Sequence, residues 1–190
     1  MPRLLVPGMV LWLAATLAAC DVFSPRTPED PMGEAGTFTQ PDAPDLVVDN
    51  LRAAITELNT ANYRRSLADD VTFAPTAAAQ ARDPSLWSSW SRTEEVRYFT
   101  TLAEAARQGS GHFLRLEDTA TEVSDTRYVL DATYVLIMHH RRVDVPDTVQ
   151  GRLVWEIEQG EDGLWALRRW TDQELGTSPS WSDLKAEFGK

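Results

Sequence analysis

From His112 to Asp172 the apolar residues of this chain fall on every second position, whereas before His112 they fall on every third or fourth. A pattern that changes period once predicts helices first and a run of neighbouring strands afterwards. In the longest alternating stretch, Arg127 to His140, Tyr128, Leu130, Ala132, Tyr134, Leu136 and Met138 share one face. Val129, Asp131, Thr133, Val135, Ile137 and His139 share the other. The next strand spans Val149 to Glu158, with Leu153, Trp155 and Ile157 on one face and Glu156 and Glu158 on the other. Asp162-Gly163 then supplies the positive φ that a tight hairpin needs, and a last strand runs from Leu164 to about Asp172. A further strand begins at His112. Adjacent antiparallel strands preceded by helices give an α+β class, with the helices packed on one face of the sheet.

The helical half opens on Asp45 as an N-cap. Val48, Leu51, Ile55 and Leu58 follow at helical spacing, predicting one helix over 46–68. A short strand at Val71–Phe73 ends before Pro75. Ser85 is read as the cap of a second helix that reaches Ala106, and Gly109-Ser110-Gly111 breaks it. Trp181 to Phe188 reads as one short helix turn in a C-terminal tail over 176–190.

Residues 1–19 form a unit of another kind. Arg3 is followed by Leu4 to Ala19 without a charge, a short basic region and an apolar run too short to span a bilayer comfortably. The run ends in Leu17-Ala18-Ala19-Cys20, and Cys20 is the chain's one cysteine. This end resembles the bacterial lipobox, which implies cleavage before Cys20, lipidation of Cys20 and a place in the cell envelope, facing the periplasm or the exterior. Two or three acyl chains hold stably, since each buried methylene adds about 0.8 kcal/mol. Residues 20–44 are the lipidated cysteine and a Pro-rich tether, with five prolines and two glycines over 21–44. Such a tether reaches about 25–30 Å as a random coil. The formal charge is −11, and loss of Arg3 makes it more negative, which excludes a nucleic-acid partner. A lone cysteine excludes an internal disulfide.

The domain over 45–175 resembles the nuclear-transport-factor-2-like (SnoaL-like, cystatin-like) fold. The resemblance is carried by Asn62-Tyr63, by Leu67 to Phe73, by Trp87 to Glu95 and by the closing Trp165-Ala166-Leu167-Arg168-Arg169-Trp170-Thr171-Asp172. With Ser180 to Lys185, that last block is similar to bacterial lipoproteins of this fold. The resemblance implies a curved antiparallel sheet wrapped around N-terminal helices, forming a cone with an open mouth.

Enzymes of this superfamily place an Asp, or an Asp–His pair, in the cone. Asp131, mid-strand among apolar neighbours, is the candidate general base. The bland alternative is an outward residue paired with a basic neighbour across the sheet. Tyr63, Trp90 and Trp155 are candidate pocket-lining residues, and Arg169, if turned inward, would orient an anionic ligand. His139 and His140, adjacent on a strand, face opposite sides, so no metal site is expected. No phosphate-binding glycine loop, nucleophile elbow or paired-carboxylate motif is present, and no cofactor is expected. The first reading is a non-enzymatic, lipid-anchored protein whose domain binds a small apolar ligand or an envelope protein. The alternatives are a ketosteroid-isomerase-like enzyme using Asp131, and an assembly subunit that forms a homodimer through its sheet.

Overall fold

The computed structural model describes residues 36–190; Cys20 and the rest of the signal and tether up to residue 35 lie outside the described residues. Six helices and five strands follow in the order α1 (Pro44–Glu57), α2 (Thr60–Arg65), β1 (Leu67–Ala74), α3 (Ala77–Arg82), α4 (Pro84–Ser88), α5 (Arg92–Ala105), β2 (Phe113–Val123), β3 (Arg127–Ile137), β4 (Thr148–Gln159), β5 (Trp165–Glu174) and α6 (Trp181–Phe188). The strands form one curved, unclosed sheet in the order β1-β5-β4-β3-β2. The pairs β2–β3, β3–β4 and β4–β5 are antiparallel; β1 joins the edge parallel to β5.

The predicted faces hold along β3: Leu130, Ala132, Tyr134 and Leu136 are buried, and Asp131 and Thr133 point away from the core. The helices depart from expectation at their ends. Ala43, with no side-chain capping bond, precedes α1; Pro44 takes the first position and Asp45 sits in the first turn. The single helix expected over 46–68 is two. Leu58 adopts a left-handed conformation (φ 56°) that ends α1, and the Asn59 side chain accepts from the Asn62 amide to start α2. The second expected helix also divides. Asp83 caps α4, and Ser91, in a capping box with Glu94, caps α5. Periodicity continued across both breaks because the apolar face is shared by the two pieces; the caps that separate them are local.

The folded unit is larger than the 45–175 expected. Before α1, the Thr37 amide donates to Glu57 Oε2 (2.8 Å). Thr39 exchanges two hydrogen bonds with the Asn50 side chain, and the Trp165 amide donates to the Pro41 carbonyl. The Arg65 guanidinium lies 3.7 Å from the centre of the Phe38 ring. After β5, the segment read as a tail is α6, capped by a Ser180–Asp183 capping box and buried at Trp181, Leu184, Lys185 and Phe188.

Two glycines are set by geometry. Gly163 (φ +79°) makes the β4–β5 hairpin. Gly151 lies opposite Tyr134, and a Cβ there would sit 2.6 Å from the Gln173 carbonyl and 2.7 Å from the Tyr134 hydroxyl. Gly151→Ala is therefore expected to destabilise the domain by about 1–3 kcal/mol, read as a lowered urea midpoint at constant slope. An unchanged midpoint would mean that the two strands can part there freely.

Candidate functional site

α6 packs against α5 and against the buried face of the sheet, which α1 also covers. Each anchor of α6 is a side chain from a distant element. The Trp181 amide donates to the Tyr134 hydroxyl (2.6 Å), and its indole Nε1 donates to the Tyr98 hydroxyl (2.9 Å). The Ser182 amide and hydroxyl both donate to Asp172 Oδ2, at 2.7 and 2.6 Å. Tyr134 in turn donates to Asp172 Oδ1 (2.8 Å). Lys185 Nζ donates to Glu95 Oε2 at 2.7 Å, with side-chain exposures of 0% and 3%. Glu95 also accepts from Trp90 Nε1 and from the Tyr63 hydroxyl, both at 2.7 Å.

Burial governs the electrostatics. Loss of water pulls the Lys185 ammonium down to about 8, with Glu95 and Asp172 opposing that shift. Burial pushes Asp172 up, against the hydrogen bonds from Ser182 and Tyr134. Burial raises Tyr63 and Tyr98 well above the usual phenol range, and Tyr134 upward as well. The ammonium has a second kind of partner: Nζ lies 3.4 Å from the ring centres of both Phe73 and Trp170. The gap left between Phe73, Trp90, Glu95 and Trp170 has no room for a water-sized sphere (≈ 0 Å³).

Three of the residues singled out from the sequence face this interior. Tyr63 and Trp90 meet on Glu95, and Trp155 packs edge-on against Trp170 (centroids 5.5 Å apart). They contact protein where a pocket was expected. Asp131 and Arg169 are on the other face. Asp131 Oδ1 lies 2.7 Å from Arg152 Nε across β3–β4, which is the bland alternative and removes the apolar surroundings that a general base in the cone needs. Asp131→Ala is expected to change stability by less than about 1 kcal/mol, measured by denaturant unfolding, because the pair is half-exposed. Arg169 stays outside because β5 carries a bulge: the pairing steps from Glu156–Arg169 to Ile157–Leu167, so two consecutive arginines face solvent. Arg168 pairs with Glu158 and Asp70, and Arg169 with Glu156.

The two buried carboxylates are unequally legible in the sequence. Glu95 sits in an acidic first turn of α5, where Glu is usual on the surface. Asp172 had a readable signal: it shares the face of Trp170, two residues away. The histidines also differ from expectation. β3 ends at Ile137, so both His139 and His140 reach Asp147, at 3.0 and 3.7 Å. Among the described residues no group of three or more His, Cys, Asp or Glu is placed to hold a metal ion. None of their helices is long and apolar enough to cross a membrane.

No protein-family model matches the chain, and no curated protein matches it. Solved structures do. The chain is similar to an NTF2-like protein of unknown function in nutrient uptake from Rhodospirillum rubrum, at 14% identity and TM-score 0.52, covering 70% of this chain and 98% of that one. It is similar to a candidate aromatic ring hydroxylase from Novosphingobium aromaticivorans, at 17% identity and TM-score 0.53, covering 73% and 91%. It is also similar to a candidate Ca/calmodulin-dependent kinase II association domain from Exiguobacterium sibiricum, at 12% identity and TM-score 0.54, covering 70% and 92%. At these identities the likeness is one of fold.

Proposed function

We propose that this chain, which has the nuclear-transport-factor-2-like fold, is a non-enzymatic, lipid-anchored envelope protein that acts by binding a protein partner. One observation carries the reading: Tyr63, Trp90 and Trp155, expected to line a pocket, contact protein, and α6 is anchored in the same interior by Trp181 and Lys185. A small apolar ligand would have to displace Trp181 and separate Lys185 from Glu95, leaving a carboxylate buried without its cation. Recognition then falls to the outside of the domain. The anchor part of the reading rests on Leu17-Ala18-Ala19-Cys20. It puts the domain at the envelope, facing the periplasm or the exterior, at the end of a short connecting segment.

The test is native mass spectrometry of the intact protein, released from its host membrane in detergent. The expected result is the mass of the acylated polypeptide with nothing held in the domain. An added mass that survives gentle ionisation and leaves on denaturation would overturn the reading in favour of a carrier or an enzyme. Cys20→Ser is expected to move the protein from the membrane to the soluble fraction. If the variant stayed in the membrane, the anchor would be elsewhere.

A further inference from the structure

All three histidines of the chain gather at one corner of the domain around a single carboxylate, Asp147. His112 stands just before β2 and is 3% exposed. Its Nε2 lies 3.1 Å from the Arg107 carbonyl. A carbonyl only accepts, so Nε2 carries the hydrogen. Its Nδ1 accepts from the His139 amide at 3.2 Å. Both ring nitrogens are thereby assigned, and the ring is held as one neutral tautomer.

We propose that this corner is an acid-sensitive latch, in which a second proton on His112 expels the His139 amide and loosens the seating of α6. The proton has only Nδ1 to go to, and a hydrogen-bond donor already points there. Two donors face to face separate the end of β3 from the start of β2.

The connection from that bond to α6 is short. The Arg107 amide donates to the His139 carbonyl, and the Arg141 amide to the Ala105 carbonyl, so the end of α5 is held by the same residues. His139 Nδ1 lies 3.0 Å from Asp147 Oδ2, and the His140 amide donates to Asp147 Oδ1. The His140 ring is fully buried and meets Phe188 of α6 edge-on, centroids 5.0 Å apart. The Arg142 guanidinium lies 4.1 Å from the centre of that Phe188 ring and bonds the Glu187 carbonyl. The groups facing His112 and His140 are thus Asp147 from the β3–β4 connection, His139 beside them, and Arg142 over Phe188.

The direction of the effect follows from burial. Burial holds His112 below the ordinary imidazole range; the Arg107 carbonyl and Asp147 oppose this, and His139 adds to it. A depressed value in the closed corner means the opened corner takes the proton more readily. Closure is therefore complete above about pH 6.5 and weakens as pH falls below it. The inference concerns how α6 is held and stands apart from the choice of partner.

Hydrogen exchange of the intact detergent-solubilised protein at pH 7.5 and 5.0, corrected for intrinsic exchange rates, tests it. Amides of 137–141 and 181–188 are expected to open more at the lower pH, by up to about tenfold per pH unit below 6.5, while β4 keeps its protection. Equal loss across β4 and α6, or no pH-dependent loss at all, overturns the proposal. His112→Asn keeps an acceptor for the His139 amide but does not titrate, so it should abolish the pH-dependent opening at 137–141 and reduce it at 187–188, the end of α6 that meets His140 and Arg142; Asp172 and Lys185 act on the rest of α6 in both proteins. Should that variant not fold, ring nitrogen shifts of the unaltered protein decide. A His112 already protonated at pH 7, or hydrogenated on Nδ1, overturns the proposal; an Nε2–H ring titrating together with loss of the His139 amide's protection supports it.

Discussion

Lys185→Met is expected to destabilise the domain by about 3–5 kcal/mol in urea unfolding at pH 7. The substitution keeps most of the packing volume but removes the cation from Glu95, whose carboxylate then keeps only Tyr63 and Trp90 as donors in a closed interior. The effect belongs to the pair. Glu95→Gln with Lys185→Met should recover much of the loss, because no charge is left stranded, and the two single costs should exceed the double by well over 1 kcal/mol. Simple additivity would mean that the two side chains do not interact as the structure places them. Above about pH 10 the buried tyrosines make stability fall as pH rises, because their folded-state values are raised.

Trp170→Ala is expected to cost about 3–5 kcal/mol, with loss of near-ultraviolet circular dichroism from the aromatic cluster. Trp170 is 1% exposed and meets Trp155, Trp181 and Phe73 edge-on, at 5.5, 4.5 and 5.4 Å. It also forms one of the two aromatic faces beneath the Lys185 ammonium. The truncation would open a cavity of indole size between β5 and α6. Added indole should refill it and raise the melting temperature of the variant but not of the unaltered protein. A cost under about 1.5 kcal/mol would show that α6 collapses onto the sheet and that the cone is not rigidly shaped around this ring.

The strands were readable because a strand's two faces alternate regardless of what lies on them. That grouped Tyr134 with Leu130 and Leu136, and Leu153 with Trp155 and Ile157, faces that the structure buries, and it put the Asp162-Gly163 turn between the last two strands. The same rule failed at one residue of β5. A bulge is a slip in pairing with the neighbouring strand, and nothing in Arg168-Arg169 itself announces it. The helix breaks at Leu58 and before Ser91 are not legible in the periodicity, because several polar residues offer caps and periodicity alone does not choose among them. Asp131 has apolar neighbours along the chain, yet those neighbours point to both faces and its own side chain points outward to Arg152.

From the sequence alone came the α+β order, the alternating core face and the lipobox-like end at Cys20, each written within a few consecutive residues. The pairing of the buried polar groups was not written there. Glu95 and Lys185 stand 90 positions apart and Tyr134 and Asp172 stand 38 apart. Taken singly, each is a residue that water would solvate well. Only the packing of α6 against the sheet and α5 removes that water, and a buried carboxylate or ammonium is tolerated only where the fold delivers its partner. Backbone geometry acts over one or two turns and is legible locally; desolvation is a property of the assembled core, and it decides which polar groups need a partner there.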